Sequence, residues 1–89
     1  MRLNAPKDLC IDLEGNVILA DTNNHQIRKY LPREGTIARI AGTGRQGDGG
    51  LGGNPLNAEL YYPHGLCGHP SGALYIADSF NNRVLKIVP

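Results

Sequence analysis

The chain matches itself. Shifted by 57 positions, Ala5-Pro6-Lys7-Asp8-Leu9-Cys10 falls on Tyr62-Pro63-His64-Gly65-Leu66-Cys67, and Gly15, Ala20-Asp21, Asn24 and Lys29 fall on Gly72, Ala77-Asp78, Asn81 and Lys86. Even Pro32 has its counterpart in Pro89. Internal repeats of this length mark architectures in which one supersecondary unit cannot bury its apolar face alone and must stack on a neighbour. A chain of 89 residues has room for two such units.

Each unit is built of short apolar bursts. Leu9-Cys10-Ile11, Val17-Ile18-Leu19, Ile27 with Tyr30-Leu31, and Ile37 with Ile40 serve the first; Leu66-Cys67, Leu74-Tyr75-Ile76, and Val84-Leu85 with Ile87-Val88 serve the second. Between them stand turn-forming clusters such as Asp12-Leu13-Glu14-Gly15-Asn16, Asp21-Thr22-Asn23-Asn24 and His69-Pro70-Ser71-Gly72. The pattern predicts strands over 7–13, 16–21, 26–31 and 36–41, then 64–69, 73–78 and 83–88. Only Leu56-Asn57-Ala58-Glu59-Leu60 suits a helical turn, and so short a segment cannot hold a helix without tertiary support. The expected fold class is therefore all-β, with one complete four-stranded propeller blade, one three-stranded blade, and hence a partial propeller. A blade repeat takes about 40–45 residues. The longer period here is accounted for by a glycine-rich insertion, which divides the chain into blade one (1–41), a linker (42–61) and blade two (62–89), the last without its outer strand.

Ile18-Leu19-Ala20-Asp21-Thr22-Asn23-Asn24-His25-Gln26-Ile27-Arg28-Lys29 and Leu74-Tyr75-Ile76-Ala77-Asp78-Ser79-Phe80-Asn81-Asn82-Arg83-Val84 resemble NHL repeats. The linking runs Thr36-Ile37-Ala38-Arg39-Ile40-Ala41-Gly42-Thr43-Gly44, Gly47-Asp48-Gly49-Gly50 and Pro63-His64-Gly65-Leu66 resemble the bacterial-type linker of that family. Against the family pattern, Gln26 replaces an Arg in the first unit and Asn82 replaces a His in the second. The resemblance implies a propeller that acts as a binding scaffold, taking a protein, peptide or glycan at the channel mouth. Two other functions are weighed beside it: part of a lyase or lactonase propeller with a metal in the central channel, and an RNA-binding propeller.

Asp21, Asn24, Asp78, Asn81, Gly15 and Gly72 are expected to be structural turn residues, the aspartates accepting backbone N–H groups across the turns that follow them. His64 begins the innermost strand of its unit, as does its counterpart Lys7, so both are candidate ligand-binding residues at the channel mouth. The resemblance to peptidyl-hydroxyglycine amidating lyases, whose Pro-His pairs supply zinc ligands from three blades, makes His64 a weak metal candidate. One imidazole is not a site, because catalytic zinc takes three protein ligands. No cofactor is expected of this chain, and zinc or calcium only of an assembled propeller.

Gly42-Thr43-Gly44-Arg45-Gln46-Gly47 spells a dinucleotide fingerprint, but the glycines and proline after it cannot open the helix that would hold a pyrophosphate. Nine Lys and Arg against eight Asp and Glu leave a charge of +1, so no field steers the chain to nucleic acid. Arg28, Lys29, Arg33, Arg39 and Arg45 are expected on a solvated face, and RNA is not an expected partner because Trp is absent and Phe80 is the sole Phe. Cys10 and Cys67 are expected as free thiols, packed as small apolar groups. Tyr61 and Tyr62 are expected to wedge between the blades. No apolar run reaches the roughly 18 residues that span a bilayer, so no membrane partner is indicated, and the compartment stays open. The partners expected instead are the other blades of a longer propeller, or copies of the chain joined head to tail, with a protein or small-molecule ligand besides.

Overall fold

The computed structural model describes residues 2–88, and these form an all-β structure of two antiparallel sheets. The first sheet runs β1 (Asp8–Ile11), β2 (Val17–Asp21), β3 (Gln26–Leu31) and β4 (Thr36–Ala41) in spatial order, so every neighbour in the sequence is a neighbour in space. The second runs β5 (Gly65–Gly68), β6 (Leu74–Asp78) and β7 (Arg83–Ile87) in the same manner. The strands fall where the apolar bursts place them, trimmed by a residue or two at their ends. Instead of a helical turn over 56–60 there is a 3-10 turn at Pro55–Asn57, capped by the Asn54 side chain accepting from Leu56 N–H at 3.0 Å. No helix of the described residues is long and apolar enough to cross a membrane.

The hairpins close on side chains as well as backbone. Asp12 Oδ1 accepts the N–H groups of Glu14 and Asn16 at 2.9 and 2.8 Å and so fixes the β1–β2 turn. Its repeat partner His69 uses ring Nδ1 in the same way, accepting from Ser71 N–H at 3.1 Å. Gly15 and Gly72 complete these turns at φ of 84° and 93°. The β2–β3 and β6–β7 connections are 3-10 turns, Thr22–Asn24 and Ser79–Asn81, each ended by a left-handed residue, His25 or Asn82.

Because side chains alternate along a strand, each sheet has two faces. Cys10, Ile18, Ala20 and Ile27 of the first sheet pack against Leu66, Leu74, Ile76, Leu85 and Ile87 of the second, with Ala41 and Leu60 between them. Ile27 and Leu60 are completely buried and Ile76 nearly so. The innermost strands β1 and β5 lie side by side, and Asp8 Oδ2 accepts Leu66 N–H across the seam at 2.9 Å. The connection over 42–61 is strapped down: Thr43 N–H reaches Ala58 O at 3.0 Å, Gly47 N–H reaches Leu60 O at 3.2 Å, and Gln46 bridges to Leu60.

Both cysteines are free, but only Cys10 packs as expected. Cys67 is exposed, because its face of β5 has no sheet laid on it.

Candidate functional site

Two buried carboxylates organise the molecule. Asp21 and Asp78 close β2 and β6, and both are fully buried. Asp21 Oδ1 accepts Asn4 N–H at 2.8 Å, while Oδ2 accepts Asn24 Nδ2 at 2.9 Å and Arg28 Nε at 2.8 Å. Asp78 repeats the arrangement: Oδ1 accepts Tyr61 N–H at 2.7 Å, and Oδ2 accepts Asn81 Nδ2 and Arg83 Nε, both at 2.8 Å. Neither aspartate caps the 3-10 turn after it, so the expected bonds across the following turn are replaced by bonds back to the segment before the innermost strand. Burial pushes the Asp21 carboxyl up, but the Arg28 guanidinium and the N–H donors from Asn4 and Asn24 outweigh it and hold the group below the usual carboxylate range.

The two guanidiniums come from different positions of the repeat. Arg83 directly follows the turn, where the first unit has Gln26; Arg28 lies two residues further on, where the second unit has Leu85. Two residues along a strand is the same face, so either position reaches the carboxylate. Arg28 is therefore buried in an ion pair, not on the solvated face expected for it. Nor is Arg39 a free surface charge: its Nη1 donates to Gly42 O at 2.6 Å and Leu56 O at 2.8 Å, closing the linker. Arg83 Nη1 and Nη2 hold Asp48 O and Glu59 O, each at 3.0 Å, and Asn81 Nδ2 holds Gly47 O at 2.6 Å. The linker's carbonyls are thus tied to side chains of both sheets, and only the three-residue 3-10 turn at Pro55–Asn57 follows its glycines, with no α-helix to present N–H groups to a phosphate.

An aromatic cluster fills the seam. Tyr61 and Tyr62 stack obliquely between His25 of the first sheet's turn and Phe80 of the second, with Tyr62 4.4 Å from His25 and 4.8 Å from Phe80 between ring centroids. His25 Nδ1 accepts Tyr62 N–H at 3.0 Å, which requires the unprotonated nitrogen there. Desolvation drives the His25 pKa below its ordinary value, against a smaller upward pull from Asp78. Thr22 Oγ1 adds a 2.6 Å bond to Pro63 O. These two contacts, and the part of Arg28, escape a reading of composition and repeat alone; the sole signal was the loss of Arg at position 26.

Lys7 and His64 are both exposed and occupy equivalent places, their N–H groups bonded to Ala20 O and Ala77 O at 3.2 and 3.1 Å. His64 Nδ1 lies 2.7 Å from Tyr62 O, and its ring is parallel to the exposed Phe80 ring at 6.3 Å. No group of three or more His, Cys, Asp or Glu side chains suited to a metal ion occurs among the described residues.

Comparison with known proteins agrees with this geometry. The NHL repeat model matches twice, over residues 3–30 and 60–87, each match covering one Asp–Asn–Arg cluster. The chain belongs to the NHL repeat family. It is similar to Protein SUPPRESSOR OF QUENCHING 1, chloroplastic, of Arabidopsis thaliana, with 35% identity over 82 residues that make 90% of this chain and 7% of that protein. It is also similar to NHL repeat-containing protein 2 of Bos taurus, with 32% identity over 89 residues, 98% of this chain and 12% of that protein. The chain thus spans a small fraction of the length of these relatives. The two sheets are NHL propeller blades, one of four strands and one of three, and NHL repeats generally build propellers that serve as interaction scaffolds.

Proposed function

We propose that the blade pair is an interaction scaffold that binds an extended peptide or protein loop at the end marked by Lys7 and His64. The observation that carries this is a contrast at the one end of the sheets where β1 and β5 begin and β2 and β6 finish. Every ionic group in the Asp–Asn–Arg clusters is consumed in holding the fold, whereas Lys7 and His64 stand exposed at equivalent positions and bond to the scaffold through backbone N–H groups. Rigid backbone beneath exposed side chains is how a scaffold presents recognition groups. The cation of Lys7 and the imidazole of His64 suit a carboxylate-bearing ligand, and the face of Phe80 beside His64 suits an apolar neighbour of that carboxylate.

Selection of displayed random peptides on the immobilised chain tests this, with the Lys7→Ala, His64→Ala double variant as the comparison. Both residues are exposed, so the variant keeps the fold. Acidic peptides whose affinity falls about tenfold or more in the variant, a loss of about 1.4 kcal/mol, are expected. Selected peptides that bind both proteins equally would place recognition elsewhere and overturn the assignment.

A further inference from the structure

The seam between the blades contains both halves of an interface, and each half recurs, uncovered, on the outside of the molecule. Shifting by 57 residues maps the outer face of the second blade onto the inner face of the first. Val84, 70% exposed, corresponds to the completely buried Ile27; exposed Cys67 corresponds to Cys10, and exposed Asn82 to the buried His25. The same shift maps the outer face of the first blade onto the buried face of the second: Leu9, 56% exposed, corresponds to Leu66, and exposed Pro6 to the fully buried Pro63.

The polar contacts of the seam recur with their partners missing. Tyr62, whose N–H serves His25, is held at a φ of 47° by the bond from Tyr61 N–H to Asp78. Its counterpart Ala5 has a φ of 50°, held by the bond from Asn4 N–H to Asp21. A left-handed alanine is costly without a reward from its surroundings. No hydrogen bond to the Ala5 N–H occurs among the described residues. On the opposite face, Asn82 keeps the left-handed conformation of His25 at a φ of 53° and carries an acceptor in its Oδ1. Ser79 keeps the hydroxyl of Thr22, with the same bond to the carbonyl two residues back, Ala77 O at 3.4 Å where Thr22 reaches Ala20 O at 3.3 Å. Thr22 also donates to Pro63 O, and the matching acceptor is Pro6 O.

We propose that a second copy of the chain docks head to tail on the first, its Leu9 face against the Val84 face, with Ala5 N–H donating to Asn82 Oδ1 and Ser79 Oγ donating to Pro6 O. The contact is heterologous, because the two faces differ, so docking repeats from copy to copy. It goes beyond the ligand reading and does not depend on Lys7 or His64.

Complementary variants test it. Leu9→Glu spoils one face and Val84→Glu the other, both at residues more than half exposed, so neither disturbs the core. The parent chain should gain mass with concentration by light scattering on a gel-filtration peak, and each variant alone should remain at 9.6 kDa. Mixed in equal amounts, the variants should form a 1:1 complex of twice that mass and stop there, since one good face remains on each. A parent chain that stays monomeric to about 1 mM, the weak end of the affinity scale, overturns the proposal and leaves these faces to further blades. Variants that fail to pair when mixed overturn it as well, showing that any association of the parent uses another surface.

Discussion

At the scale of single residues, a carboxylate stripped of water is tolerable only while its donors stay in place. Removing one partner of a buried ion pair leaves an uncompensated charge and costs about 3–5 kcal/mol. Arg28→Ala should therefore lower the unfolding free energy by an amount in that range, while Arg33→Ala, an exposed residue, stays within about 0.5 kcal/mol of the parent; denaturant titration of both checks this. His25 gives a pH signature. Its folded pKa lies below the ordinary 6.5, so as pH falls the unfolded chain takes up a proton that the native ring refuses, and stability present above pH 6.5 is lost below it. His25→Asn, which places in blade one the residue that blade two already carries at this left-handed position, should flatten that slope between about pH 7 and pH 5. Loss of the Asp21 contribution belongs to more acid conditions, beginning below its ordinary 3.8, and should persist in the variant. None of this was legible from residue types alone. Asp21 and Asp78 were recognisable as fixed points, but each takes a loop N–H from 17 residues away, and Asp21 takes an Arg two residues beyond the place that Arg83 holds for Asp78.

At the scale of elements, the strands were readable because alternating apolar bursts between Asp, Asn, Gly and Pro clusters leave the backbone few alternatives. The boundaries shrank by a residue or two at strand ends, as at Lys7 and His64, each of which keeps one backbone bond to the neighbouring strand. The 3-10 turns after β2 and β6 were not readable, since a short run rich in Asp and Asn satisfies many turn geometries. What pins them is the left-handed residue that ends each one. The linker shows the opposite case: its glycines spell a dinucleotide fingerprint without the helix that such binding needs, and their role is steric. Gly42 has a φ of 86°, and a Cβ there would lie 2.4 Å from His25 O, in backbone that cannot retreat. Gly42→Ala should destabilise by more than about 1 kcal/mol, read as a fall in denaturation midpoint, whereas alanine at Gly53, where nothing lies within 4 Å of a Cβ, should be nearly silent.

At the scale of the whole molecule, a two-unit repeat has one buried seam and two outer faces that copy its halves. The offset of 57 announced the repeat, and the strand count announced an incomplete second blade. The pairing of exposed with buried counterparts became visible once burial could be compared position by position. The direct test of that central symmetry is amide hydrogen exchange at two residues, measured in dilute and in concentrated solution. Tyr62 N–H should be protected at both concentrations, because its acceptor is within the chain, and Ala5 N–H should exchange freely when dilute and become protected when concentrated. An Ala5 amide that exchanges equally fast at both concentrations, beside a protected Tyr62, would contradict the claim that the outer faces reproduce the seam.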